Sequence, residues 1–197
     1  MSSEDIEKIK KMYSSEPTYD HTWVGSESNK AFLICIGAGP WKVERRKKVQ
    51  TRAIQWLNNR DLGNILPSQF ENIYPLKWEN DMLFNMITSL NKKQIEFKTL
   101  CDIWLEKGKY SWTTPIVEFF NLCGANPKGT KVLWLFIRDY LKLPAFPIDR
   151  HVRRKLKEYK LPIDPIYIIG LCQKAGIDPN ALNRSLFLGK NPDFSKS

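Results

Sequence analysis

Apolar residues recur along most of this chain at three- and four-residue intervals, broken by short runs rich in glycine, proline and serine. That spacing predicts helices, and few stretches alternate as a strand would. Residues 2–13 predict a short helix capped by Ser2 or Ser3, with its acids ahead of its lysines as the helix dipole favours. Residues 14–30, with Pro17, His21 and Gly25, read as a loop. The apolar run 31–36 suits either a buried helical turn or a strand. Residues 41–59 predict a long helix whose apolar face is Trp41, Val49, Ala53, Ile54, Trp56 and Leu57. Residues 60–79 carry Gly63, Pro67 and Pro75 and read as loops with a short helix over 68–73. A core helix capped by Asp81 is expected over 81–90. Another is expected over 91–106, with Ile95, Leu100, Ile103, Trp104 and Leu105 inward and Gly108 ending it. A third starts at Thr113 or Thr114, with Pro115 in its first turn, and runs to Leu122.

The densest pattern follows. Asn126-Pro127-Lys128-Gly129-Thr130 is a tight turn, and residues 130–141 are apolar on nearly every side, which predicts a buried helix. Lys131 falls in its first turn. Half covered by apolar side chains and close to the positive helix end, it is expected to favour the neutral amine, a nucleophile able to form a Schiff base. Asp149, 18 residues on, stands at an N-cap position ahead of a basic helix, where backbone N–H groups favour its charged form. A proline-bounded linker at 161–165 and helices over 166–175 and from 178 to about 188 complete the chain, with a polar tail from Gly189. There is no internal repeat, and the expected class is all-α.

Charge narrows the function. The chain has 42% hydrophobic residues, enough for one domain or two small lobes, and carries a net +10. That balance favours a polyanionic partner, nucleic acid or an anionic membrane surface. From Lys128 to Lys160 there are ten cations and three acids, so this segment alone holds +7. Arg45, Arg46, Lys47, Lys48 and Arg52 form a second basic patch on the 41–59 helix, a solvated face that is also able to touch phosphates. The four cysteines are scattered without a CxxC pair, so no zinc, iron–sulfur cluster or other cofactor is implied. With no secretory signal and no apolar run of membrane length, an intracellular protein with reduced thiols and no membrane partner is expected.

Two nucleotide-binding patterns are incomplete. Gly37-Ala38-Gly39-Pro40 lacks the third glycine of a dinucleotide loop and reads as a break between helices. Gly124 to Lys131 has the glycines of a P-loop but places threonine before lysine, and no strand series accompanies it.

Turn, Gly129-x-Lys131, helix, then Asp149-Arg150-His151 opening a basic helix resembles the helix–hairpin–helix DNA glycosylases, the superfamily of endonuclease III. The resemblance covers residues 124–160. The Asp-Arg-His wording is most similar to the archaeal-type 8-oxoguanine glycosylases with lyase activity. Pro127 stands where the family's first hairpin glycine is. The resemblance implies Lys131 as nucleophile and Asp149 as the carboxylate that stabilises the sugar cation. It implies Asn126, Lys128, Gly129, Thr130, Arg150, His151, Arg153 and Arg154 as DNA contacts, and an aromatic-lined lesion pocket. It also implies two helical lobes facing across a cleft, 35–135 ending in the hairpin and 1–34 with 136–197. The partner is then double-stranded DNA carrying a damaged base, bound by a monomer without metal. An oxidised pyrimidine or mismatched base as substrate, and a non-catalytic nucleic-acid binder, are the alternatives.

Overall fold

The computed structural model describes residues 2–13, 27–39 and 42–188. The expected loop over 14–26, the residues Pro40 and Trp41, and the tail from Gly189 lie outside them. The described residues contain ten α-helices and no strand, so the fold is all-α. They divide into two compact units. One comprises Met1–Thr22 with Pro144–Ser197, the other Trp23–Leu143.

In the larger unit, α2 (Ser28–Ile36) settles the ambiguous apolar run as a helix. It packs on α3 (Val43–Leu57) and on α7 (Lys131–Asp139). Where one short helix was expected after α3, two single 3₁₀ turns stand at Leu62–Asn64 and Pro67–Gln69. The chain then enters α4 (Lys77–Lys93), which merges the helix expected at 81–90 with the start of the next. The helix begins earlier because the Glu79 carboxylate accepts the Leu76 N–H and caps it. Asp81 is therefore no cap; it sits one turn in and pairs with Lys77 at 2.7 Å. The break falls at Gln94, in left-handed backbone. In α5 (Phe97–Gly108), Leu100 and Trp104 are buried as expected, but Ile103 and Leu105 face out. Helix α6 (Thr113–Leu122) begins at the expected threonine.

An aromatic core holds these helices together. Phe136 of α7 lies 5.7 Å from Phe32, 5.8 Å from Phe97 and 5.2 Å from Phe119, ring centre to ring centre, and stacks on Tyr140 at 5.1 Å. Phe32 and Phe136 thus share one core. The unit boundaries fall at 23 and 143 rather than 35 and 135, because α2 and all of α7 bury their apolar faces here.

The smaller unit is built from α1 (Ser3–Met12), α8 (Arg150–Glu158), α9 (Pro165–Ala175) and α10 (Pro179–Leu188). The Tyr167 hydroxyl donates to Asp5 at 2.8 Å and ties α9 to α1. That bond, then one from Lys8, holds the Asp5 carboxyl below its usual range. Asp164 caps α9 through the N–H groups of Ile166 and Tyr167.

Candidate nucleic-acid interface

The turn between α6 and α7 is fixed from both sides. Helix α6 ends with the Ala125 N–H bonded to the Phe120 carbonyl and the Gly124 N–H to that of Asn121. This six-to-one closure needs left-handed backbone at the residue after the cap, and Gly124 supplies it with φ +61°. A side chain at Gly124 would also collide with Asn85, whose amide donates to the Cys123 carbonyl at 3.3 Å. The chain then makes a β-turn in which the Gly129 N–H reaches the Asn126 carbonyl at 3.0 Å. Pro127 occupies the second position of that turn, where its fixed φ is favourable. The Asn126 side chain accepts the Lys128 N–H at 2.9 Å, and the Thr130 hydroxyl donates back to the Asn126 carbonyl at 3.2 Å. The Pro127 carbonyl accepts the Trp134 indole N–H at 2.7 Å, so the turn is pinned to the buried part of α7.

Because the Thr130 hydroxyl bonds backward, no side chain caps α7. Its first N–H groups point out along the axis with their partial positive charge. Asn126, Lys128 and Gly129 are exposed at this end and Thr130 is half-buried. Gly129 needs no special backbone angle, and a Cβ there would approach only the Asn126 carbonyl, at 3.9 Å. Lys131 is the first residue of α7, as expected. It is exposed, however, not half covered: the apolar mass of the helix begins one residue later with buried Val132 and Leu133.

In the other unit, Asp149 caps α8. Its Oδ1 accepts the N–H groups of both His151 and Val152, each at 2.8 Å. Among the described residues Oδ2 accepts no hydrogen bond. Val152 and Leu156 anchor α8, which leaves Arg150, Arg153 and Arg154 exposed and His151 half-buried. Arg150 donates to the His151 Nε2 at 3.3 Å. Arg154 and Lys155 share Glu158, at 3.9 and 2.6 Å. Asp139, one of the segment's three acids, is buried and bound at 2.7 Å by Arg138, so the two form a neutral pair withdrawn from the surface.

Asp149 is positioned by residues the sequence reading passed over. The segment before it, with Ala145, Phe146 and Pro147 buried, runs under α10. Asn180 accepts the Ala145 N–H at 2.9 Å and Asn183 donates to the Pro147 carbonyl at 2.9 Å. Two asparagines three apart on an otherwise apolar helix face were the readable signal.

Other chemistry is narrowed. Cys35, Cys101, Cys123 and Cys172 are all buried free thiols, and burial pushes each thiol up, Cys172 to about 12. Such thiols are poor nucleophiles. Among the described residues no three His, Cys, Asp or Glu side chains gather as metal ligands. The parallel sheet a P-loop would need is missing from the described residues. Nor is any of their helices long and apolar enough to cross a membrane. Comparison with protein-family models, curated proteins and solved structures found no match.

Proposed function

We propose that the protein is a base-excision DNA glycosylase with lyase activity, in the manner of the helix–hairpin–helix superfamily, acting on 8-oxoguanine. One observation carries the reading. A lysine and an aspartate 18 residues apart each stand at the N-terminal end of a helix, Lys131 as its first residue and Asp149 as its cap, inside the most basic stretch of the chain. The first N–H groups of α7, which no side chain caps, bind phosphate oxygens without regard to base sequence. Arg150, Arg153, Arg154 and Lys128 add charge-assisted contacts. The target nucleotide is turned out of the stack to expose its glycosidic bond. The Asp149 carboxylate stabilises positive charge growing on the sugar. The Lys131 amine attacks C1′, and the base leaves with the bonding electrons and takes a proton. The C1′–O4′ bond then breaks, with O4′ taking up a proton, to leave a protonated imine; this loses a proton from C2′ and expels the 3′ phosphate, which cuts the strand.

A second reading has an observation in its favour. An exposed Lys131 lacks the burial that would activate it, which suits a lysine that only contacts phosphate. One experiment decides between them. Duplexes carrying a single 8-oxoguanine, oxidised pyrimidine or mismatched base are incubated with and without borohydride, which reduces the imine to a permanent protein–DNA link. A trapped adduct on one lesion, lost in Lys131→Gln, is expected. A duplex that is bound while no base is released and nothing is trapped makes the protein a non-catalytic binder.

A further inference from the structure

Helix α3 carries the second concentration of positive charge, and its placement is unusual for a helix that serves only the fold. Val49, Ala53 and Leu57 bury one face, and Gln50 fastens that side to α2 by donating to the Ile34 carbonyl at 2.9 Å. Lys42 at the cap position and Arg45, Lys47, Lys48 and Arg52 are all exposed. Glu44 is the only acid in the helix. Lys47, Lys48 and Arg52 make no ion pair among the described residues. Two effects oppose this arrangement. Arg45, Lys48 and Arg52 are like charges at spacings of three and four residues, where neighbours repel. Most of the cations also lie in the first half of α3, against the positive end of the helix dipole. Helices α1 and α4 show the opposite order, with Glu4, Asp5 and Glu79 in their first turns and lysines in their last. In α1 the cations are also neutralised internally, as in Lys8 with Glu4 at 2.8 Å. In α3 the cations crowd the first half, and none stands in the last turn.

Arg45, Lys48 and Arg52 form a single row at i, i+3 and i+7. With a rise of about 1.5 Å per residue the row is about 10 Å long. Phosphates of one DNA strand advance about 3.4 Å each along the duplex axis, so the row covers about three of them. We infer that α3 is a second DNA-contacting surface, in which Arg45, Lys48 and Arg52 lie along the phosphates of one strand and Lys42 and Lys47 flank them. The inference rests on DNA being the partner, as proposed above, but not on any chemistry at Lys131. A contact of this kind adds affinity to duplex DNA of any sequence, and lesion recognition is left to the α7 and α8 ends.

The test is the salt dependence of binding to an undamaged duplex, read by fluorescence anisotropy over a range of KCl concentrations. In Arg45→Gln/Lys48→Gln/Arg52→Gln the slope of log K against log salt is expected to fall by about 2 to 3, since each lost phosphate contact removes about 0.9. Borohydride trapping at saturating lesion duplex should persist. Lys92→Gln/Lys98→Gln/Lys109→Gln removes three charges from α4, α5 and the residue that follows α5, and should leave the slope unchanged. If the first variant unfolds by circular dichroism, Lys48→Gln/Arg52→Gln should still lower the slope by about 2. An unchanged slope, an equal fall in the control, or wild-type binding to anionic lipid vesicles but not to duplex overturns the inference. Wild-type protein that binds DNA but traps no adduct overturns only the glycosylase reading, and the slopes still decide the role of α3.

Discussion

Asp149 does two jobs that a single substitution can separate. As a cap, its Oδ1 satisfies two backbone N–H groups that α8 would otherwise leave open. As a carboxylate, it supplies the negative charge that the proposed chemistry needs. Asparagine caps a helix about as well as aspartate, so Asp149→Asn should keep the fold within about 0.5 kcal/mol in urea denaturation. Binding to a duplex with an abasic-site analogue should also be retained. Single-turnover base release should fall by about a hundredfold or more, the scale of a lost catalytic carboxylate. Release at the wild-type rate would reduce Asp149 to a structural cap. Lys131 differs because its neighbours hold the backbone on which it stands. Trp134, three residues on, holds the turn, and Phe136 holds the helix. Lys131→Gln should therefore fold normally and lose both base release and trapping.

At the level of elements, the two chemical ends depend on different supports. The α6–α7 turn is braced by α4, through Asn85 to the Cys123 carbonyl and Ser89 to the Leu122 carbonyl. The segment leading into α8 is braced by α10, through Asn180 and Asn183. Asn183→Ala leaves the buried Pro147 carbonyl without that donor, at a cost of about 1 to 3 kcal/mol. The urea midpoint should drop accordingly. Because Pro147 is two residues from Asp149, base release should weaken more than duplex binding. A variant of unchanged stability would show that this brace contributes nothing.

For the whole molecule, stability and charge pull in opposite directions as pH falls. A net charge of +10 repels itself more strongly as carboxylates protonate. Glu118 is the carboxylate joining three helices. It accepts the Trp104 indole N–H at 3.1 Å and pairs with Lys93 at 3.2 Å and Lys107 at 3.5 Å. Burial pushes its carboxyl up, but the Trp104 and Lys93 bonds and the Lys107 charge together outweigh this and hold it below the ordinary 4.5. A depressed carboxyl contributes its full stability above the unfolded value and loses it as pH falls through the folded one. Acid should therefore destabilise the protein progressively below about pH 4.5. Glu118→Gln should be less stable by about 1 kcal/mol at pH 7 and lose less between pH 5 and pH 3, measured by chemical denaturation at each pH. Equal acid sensitivity in the two proteins would show that Glu118 is not part of this response.

The all-α class, the caps at Ser2 and Asp149, and the turn ahead of Lys131 were legible in the sequence. These depend on contacts within four or five residues, where propensity and capping chemistry act directly. Local pattern misplaced the start of α4 because Asp81 and Glu79 are both plausible first-turn acids, and only the earlier one meets a free backbone N–H. Ile103 and Leu105 are apolar by type, but their helix turns them away from Trp104 and the core. The exposure of Lys131 was hidden for the same reason: an apolar sequence shows that α7 is buried but not where along the helix burial begins. The sequence by itself determined which residues cap, turn and carry charge, since those are local properties of the chain. Only the tertiary structure decided which side chains water reaches and that α10 grips the segment before Asp149, because burial depends on residues far apart in sequence packing against each other.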